Sequence, residues 1–184
     1  MMSWWSPAGV PRASLDVVAF LRIPTTVRRA VADVTVSFDA SPDEAFDYLA
    51  DPRNRPQWQA SLRAITDVMP LGDHPGDVGT SWTDVTVVPG VRPRMEVVGS
   101  DRPQRWVEIG QWRFVDAALV LTIERASDGS TTVGARAVFT LPLVLAPVFV
   151  PLAVVVPSAV RVDLRAAAAA ITAHREGRPA AQGT

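Results

Sequence analysis

Between residues 62 and 140 the chain reads as six short runs of alternating apolar and polar residues, each closed by residues that turn the backbone. The runs fall at about 62–69, 79–88, 92–99, 104–114, 117–126 and 131–140. Alternation of period two marks a strand with one face on a core and the other in water. The links are Gly72 to Gly79, Pro89-Gly90, Asp101 to Pro103 and Ser127-Asp128-Gly129-Ser130, all rich in turn-forming residues. Parallel neighbours need crossovers of a dozen residues or more, so links this short join antiparallel strands. A seventh alternating run, near 33–38, precedes them. The chain therefore builds an antiparallel sheet with one apolar face to cover.

Two helical signals supply the cover. In "SPDEAFDYLADPRNRPQWQ", residues 41 to 59, Ser41 can cap, Pro42 suits the first helical position and Glu44 completes a capping box. Ala45, Phe46, Leu49 and Ala50 then share one face, and Pro52 stops the helix at about residue 50. A turn bearing Trp58 follows. The second signal is Ser158 to Arg175, where Val160, Leu164, Ala167, Ala168 and Ile171 form a stripe opposite Arg161, Asp163, Arg165 and Arg175, with Gly177 and Pro179 as the stop. A sheet with one apolar face and a long helix with one apolar stripe bury each other. The expected class is α+β, a seven-stranded sheet curved around the C-terminal helix. The five alanines 166–170 make that helix slim, so the grip can leave a space that the unit 41–59 caps at one end.

Composition removes several chemistries. The chain lacks cysteine, and all eighteen basic residues are arginine, which excludes thiolate nucleophiles, Schiff-base lysines and phosphate-loop lysines. Only His74 and His174 remain for a histidine-based triad or metal site, and His74 sits in a turn. The expectation is no metal and no cofactor. A net charge of −1, with no basic run interleaved with aromatics, argues against nucleic acid. The pairs Arg28-Arg29, Arg53/Arg55 and Arg92/Arg94 read as solvated surface.

Ala137 to Val160 carries no charge and is long enough to span a bilayer as a helix. Pro142, Pro147, Pro151 and Pro157 interrupt it, so no stable membrane span is expected. Val17 to Leu21 is too short for a signal-peptide core, and the protein is expected in the cytoplasm. Residues 1–31 read as an extension with one short helix around Leu15, Val18, Ala19 and Arg22. Residues 32–176 form the domain, and 177–184 read as a disordered tail.

This order of elements resembles the START-like or SRPBCC superfamily, closest to its polyketide cyclase/dehydrase-like branch. The resemblance rests on Val34-Thr35-Val36 before "ASPDEAFDYLADP", Pro56-Gln57-Trp58, "GDVGTSW", "DRPQRW", "SDGSTTV" and the proline-bearing apolar run into the last helix. It covers about residues 33–175 and implies a helix-grip fold, with two short helices between the first two strands. It also implies a hydrophobic cavity for lipids, polyketides or other apolar ligands, in a family that includes carriers, cyclases and partner-protein regulators.

Within the strands, Trp106, Glu108, Gly110, Trp112 and Phe114 share a parity. If that face points inward throughout, Glu108 lies in an apolar wall as a candidate general acid. The preferred alternative is a bulge at Gly110 that sends Glu108 to solvent and Val107 and Ile109 inward. Asp84, on the parity of Trp82 and Thr86, is the second candidate catalytic carboxyl with the same ambiguity. Arg94, Arg113 and Arg136 are surface candidates, any of which could clamp an anion if it faced inward. Tyr48 reads as a helix-surface phenol. The expected ligand-binding wall is Trp58, Trp82, Met95, Val97, Trp106, Trp112, Leu119, Leu121, Val160 and Leu164, with Trp82, Trp106 and Trp112 dominant.

The leading expectation is binding of a hydrophobic small molecule between sheet and helix. The alternatives are a metal-free cyclase or dehydratase, acting as lyase or isomerase on a polyketide-like substrate, and a protein-interaction regulator. Inward carboxyls or arginines in a closed cavity would favour the enzyme, and an all-apolar cavity the carrier.

Overall fold

The computed structural model of the chain describes residues 25–127 and 129–176. The helix expected around Leu15–Arg22 and the tail after residue 176 lie outside the described residues. Seven strands form one sheet: β1 (Thr26–Phe38), β2 (Leu62–Met69), β3 (Ser81–Thr86), β4 (Arg94–Asp101), β5 (Arg105–Trp112), β6 (Val115–Arg125) and β7 (Thr131–Pro142). Their order is β1-β7-β6-β5-β4-β3-β2, and every neighbouring pair is antiparallel. Between β1 and β2 lie α1 (Pro42–Ala50), a 3₁₀ turn (Pro52–Asn54) and the one-turn α2 (Arg55–Trp58). A second 3₁₀ turn, Leu143–Val148, leads into α3 (Phe149–Glu176). This is the sheet around a C-terminal helix that the alternation and the two helical signals imply, and the helix grip that the resemblance implies.

α1 forms for the reason its sequence gives. The Ser41 side chain accepts from the Glu44 backbone N–H at 3.3 Å, and the Glu44 carboxylate accepts from the Ser41 N–H at 2.9 Å. Its buried face is Ala45, Phe46, Leu49 and Ala50. At its far end Gly76 approaches so closely that an added Cβ would lie 2.6 Å from the Ala50 Cβ, and the Gly76 carbonyl accepts from Trp106 Nε1 at 3.1 Å. The turn between β2 and β3 is thereby locked onto α1.

Three boundaries differ from expectation. β1 begins at Thr26, so the strand takes in residues assigned above to the extension, and its bulge at Val31 turns both Val31 and Ala32 into the core. β5 ends at Trp112, because Arg113 adopts φ 54° and makes a two-residue hairpin turn that leaves Phe114 exposed. α3 begins at Phe149, nine residues before the expected start.

The prolines do not break α3. Pro151 lies in its first turn, where amides have no helical partner to lose. Pro157 removes the bond to the Ala153 carbonyl, but Ala153 is exposed and water can take that acceptor. By length and composition the helical run Leu143–Glu176 could cross a membrane, so the prolines are no argument against a span. Arg161, Asp163 and Arg165 lie within it, and Leu164, Ala167 and Ile171 are buried in the core that the sheet wraps. Those features mark its C-terminal half as gripped by the sheet, whereas its most apolar 18-residue stretch is only 6% buried.

Candidate functional site

The grip is filled at one end and hollow at the other. Near α1, the first half of β5 meets β3 and β4 in a packed core, where Trp82 and Trp106 stack with centroids 6.5 Å apart and planes 13° from parallel. Further along β5 the sheet and α3 separate, leaving a cavity of about 890 Å³. The long wall is apolar: Met95, Trp112, Leu119, Leu121 and Ala137 from the strands, and Val160 and Leu164 from α3. Gly110 also lines it, and a Cβ there would meet the Met95 sulfur at 2.7 Å, so the missing side chain makes room for that methionine. Ala60 and Ser61, with Val154, Val155, Ala159 and Val162 on α3, line the cavity while remaining exposed, and they mark its opening.

One end of the cavity is polar. α2 holds Arg55 and Trp58 three residues apart, on one face of its single turn. Arg55 Nη1 donates to Glu108 Oε2 at 2.6 Å, and Nη2 lies 3.9 Å from Asp84 Oδ2. Trp82 Nε1 donates to Asp84 Oδ1 at 2.8 Å. The guanidinium carbon sits 5.3 Å from the Trp82 ring centroid and 5.8 Å from that of Trp58, within cation–π range. Asp163, on α3, accepts the Ala60 backbone N–H at 3.0 Å. Arg55, Asp84 and Glu108 are buried, and all of them line the cavity with Asp163.

Burial sets the electrostatics here. It pushes the Glu108 and Asp84 carboxyls above the usual range, although the Arg55 guanidinium pulls both back down. Asp163 is also pushed up by burial, against the Ala60 N–H and Arg55. Burial disfavours the Arg55 charge as well, but Glu108 and Asp84 more than offset it and the guanidinium stays ionised. Two buried carboxyls thus share one cation, and they titrate as a pair. With burial raising both, the pair holds its last proton to a higher pH than free carboxyls do.

The structure brings together Glu108 and Asp84 with Trp58, Met95, Trp112, Leu119, Leu121, Val160 and Leu164 around one cavity. The bulge expected at Gly110 is absent: β5 pairs in regular register with β6 through Gly110, so Glu108 points inward. The phase shift lies instead in β4, between Val97 and Gly99. Trp82, Val97 and Trp106 are buried in the core beyond the cavity wall, with Trp82 touching the site only through Asp84 and Arg55. Arg94, Arg113 and Arg136 are exposed. Tyr48 is half-buried, with its hydroxyl on the Gln57 side-chain oxygen at 3.2 Å.

Arg55, read above as surface but only 2% exposed, and Asp163, read above on the polar face of the last helix but lining the cavity, are the residues the sequence reading missed. The spacing of three from Arg55 to Trp58 was the available signal for the arginine, since a residue on the face of a buried anchor is buried with it. Among the described residues no three His, Cys, Asp or Glu side chains gather as metal ligands.

Comparison with known proteins agrees with this architecture. The sequence matches the family described as polyketide cyclase / dehydrase and lipid transport over residues 29–176. Among curated proteins none matches in sequence. The di-domain ARO/CYC StfQ from the steffimycin biosynthetic pathway superposes with a TM-score of 0.63 at 15% identity, over 84% of this chain and 53% of that one. Norcoclaurine synthase from Thalictrum flavum, solved with dopamine and hydroxybenzaldehyde, gives 0.60 at 13% identity, over 82% of this chain and 90% of that one. Ara h 8.0201 gives 0.60 at 13% identity, over 80% and 99%. At such identities these likenesses establish the fold.

Proposed function

The chain belongs to the polyketide cyclase/dehydrase and lipid transport family, and on that premise we propose that it binds an apolar small molecule in the cavity between sheet and α3. The observation that carries this reading is the cavity itself, about 890 Å³ with a largely apolar wall and a few convergent polar groups at one end. That volume and that lining are those of small-molecule sites. The ligand's apolar body lies against Leu119, Leu121, Val160 and Leu164, gaining about 25 cal/mol per Å² removed from water. Its polar end lies at Arg55, Asp84 and Glu108.

Melting curves with 2-naphthylethanol and with decanol test this. A ligand at a hundred times its Kd stabilises by about 2.7 kcal/mol, so saturating probe raises the Tm of the wild type. Ala159→Trp, at the exposed rim, leaves the fold intact and reduces that rise. No shift with either probe in the wild type would overturn the reading.

A second reading is favoured by Glu108 and Asp84 lining the cavity with raised pKa values: cofactor-free acid–base catalysis of a cyclisation or dehydration. In a dehydration, the neutral carboxyl gives its proton to the departing hydroxyl as the C–O bond breaks. The neighbouring carboxylate takes the proton from the adjacent carbon as the double bond forms, and water leaves. On this reading Glu108→Gln and Asp84→Asn keep the probe-induced Tm shift and lose turnover of a β-hydroxy ketone substrate.

A further inference from the structure

The polar end of the cavity has more negative than positive groups. Among the described residues that line it, Arg55 is the single cation, beside the carboxyls of Asp84 from β3 and Glu108 from β5, while Asp163 from α3 lines the same cavity. Arg55 is already committed, through Nη1 to Glu108 and through Nη2 toward Asp84. A ligand carboxylate entering here would compete for an occupied guanidinium and meet the acids of Asp84 and Glu108. A protonated amine would meet the opposite field, bringing N–H donors and no acceptor.

A second observation is independent of the charge count. Trp58 and Arg55, both more than nine-tenths buried and both in the cavity wall, leave Trp58 Nε1 and Arg55 Nε without a hydrogen-bond partner. Buried donors are costly to leave unpaired, and these two ask for an oxygen acceptor beside the cation. The half-buried Gln59, next in the chain and also in the wall, leaves its side-chain oxygen unpaired and asks for a donor.

We propose that the polar end of this cavity recognises an amine with an adjacent oxygen, so that the ligand is an apolar amino alcohol or a close relative. The inference rests on the cavity reading above and narrows it to one head-group class. The apolar body occupies the wall of Leu119, Leu121 and Leu164. The ammonium donates to the carboxylates and to Gln59, and the oxygen accepts from Trp58 Nε1.

Isothermal titration with four probes on one naphthalene scaffold tests the assignment: 2-amino-1-(2-naphthyl)ethanol, 2-naphthylethylamine, 2-naphthylethanol and 2-naphthylacetate. The amines bind about ten-fold more tightly than the alcohol, a difference of about 1.4 kcal/mol, with the amino alcohol tightest and the carboxylate weakest. Asp163→Asn keeps an acceptor for the Ala60 N–H, remains folded, and narrows the gap between amine and alcohol. Amine affinity also rises as pH climbs above the ordinary carboxyl value of about 4, as the raised acids Asp84, Glu108 and Asp163 give up protons, while alcohol affinity does not. If the alcohol or the carboxylate binds as tightly as the amines, the amine assignment fails and the cavity reading stands. If none of the four binds, both fail.

Discussion

Arg55 carries opposing costs at the scale of one residue. Taking a guanidinium and two carboxyls out of water is expensive, and their attraction repays it only while all partners are present. Arg55→Met therefore strands Glu108 and Asp84 and lowers unfolding stability by about 3–5 kcal/mol, and Arg55→Met/Glu108→Leu recovers part of that loss. Urea unfolding near neutral pH measures both, and a single variant within about 0.5 kcal/mol of wild type would contradict the buried pairing.

The same carboxyls set a pH slope. Groups whose folded pKa is raised contribute stability that is fully present below their unfolded value of about 4 and declines as pH rises through the folded value. With Glu108, Asp84 and Asp163 all raised, the urea midpoint falls as pH rises above the ordinary carboxyl value of about 4. Glu44, lowered by its Ser41 hydrogen bonds, works in the opposite direction, but its window lies below its ordinary value and leaves this range unaffected. Asp84→Asn/Glu108→Gln flattens the slope. A wild-type midpoint that climbs over this range would refute the assignment.

At the scale of elements, the sheet was legible because period-two alternation reports which face each residue takes. Parity alone puts Trp106, Glu108 and Trp112 on one face, and the structure keeps them there against the preferred expectation of a bulge at Gly110. Parity does not report position along the strand. Trp106 lies where α1 and the Gly72–Gly79 turn close over the sheet, and it became core, whereas Trp112 lies where α3 stands off, and it became cavity wall. The spacing to Trp58 could signal that Arg55 is buried, but its partners were illegible, since they are 29 and 53 residues away and no local pattern carries them.

α3 shows the reverse error, where a local rule was applied too strongly. Pro157 was read as a boundary, and the helix runs through it because the orphaned Ala153 carbonyl faces water. An interior proline costs a helix up to about 3 kcal/mol, so Pro157→Ala raises stability by about 1–3 kcal/mol in thermal or urea melts. A loss of stability would show that the proline fixes a geometry the cavity mouth requires, because Val156, Ser158 and Ala159 all line it.

For the whole molecule, the central claim is that one end of the grip is solid and the other receives a ligand. The six tryptophans of the chain offer a direct readout, since each indole N–H gives its own nuclear magnetic resonance signal. Trp58 Nε1 has no partner and lines the cavity, Trp112 lines it too, and Trp106 Nε1 is bonded to the Gly76 carbonyl in the filled core. Proton–nitrogen correlation spectra of the wild type, titrated with 2-amino-1-(2-naphthyl)ethanol and assigned with Trp58→Phe, Trp106→Phe and Trp112→Phe, measure where the ligand sits. The account predicts that the Trp58 and Trp112 signals move together to one saturating end point, Trp58 toward a hydrogen-bonded position, while Trp106 stays in place. Movement of Trp106 with Trp58 and Trp112 unmoved would contradict it.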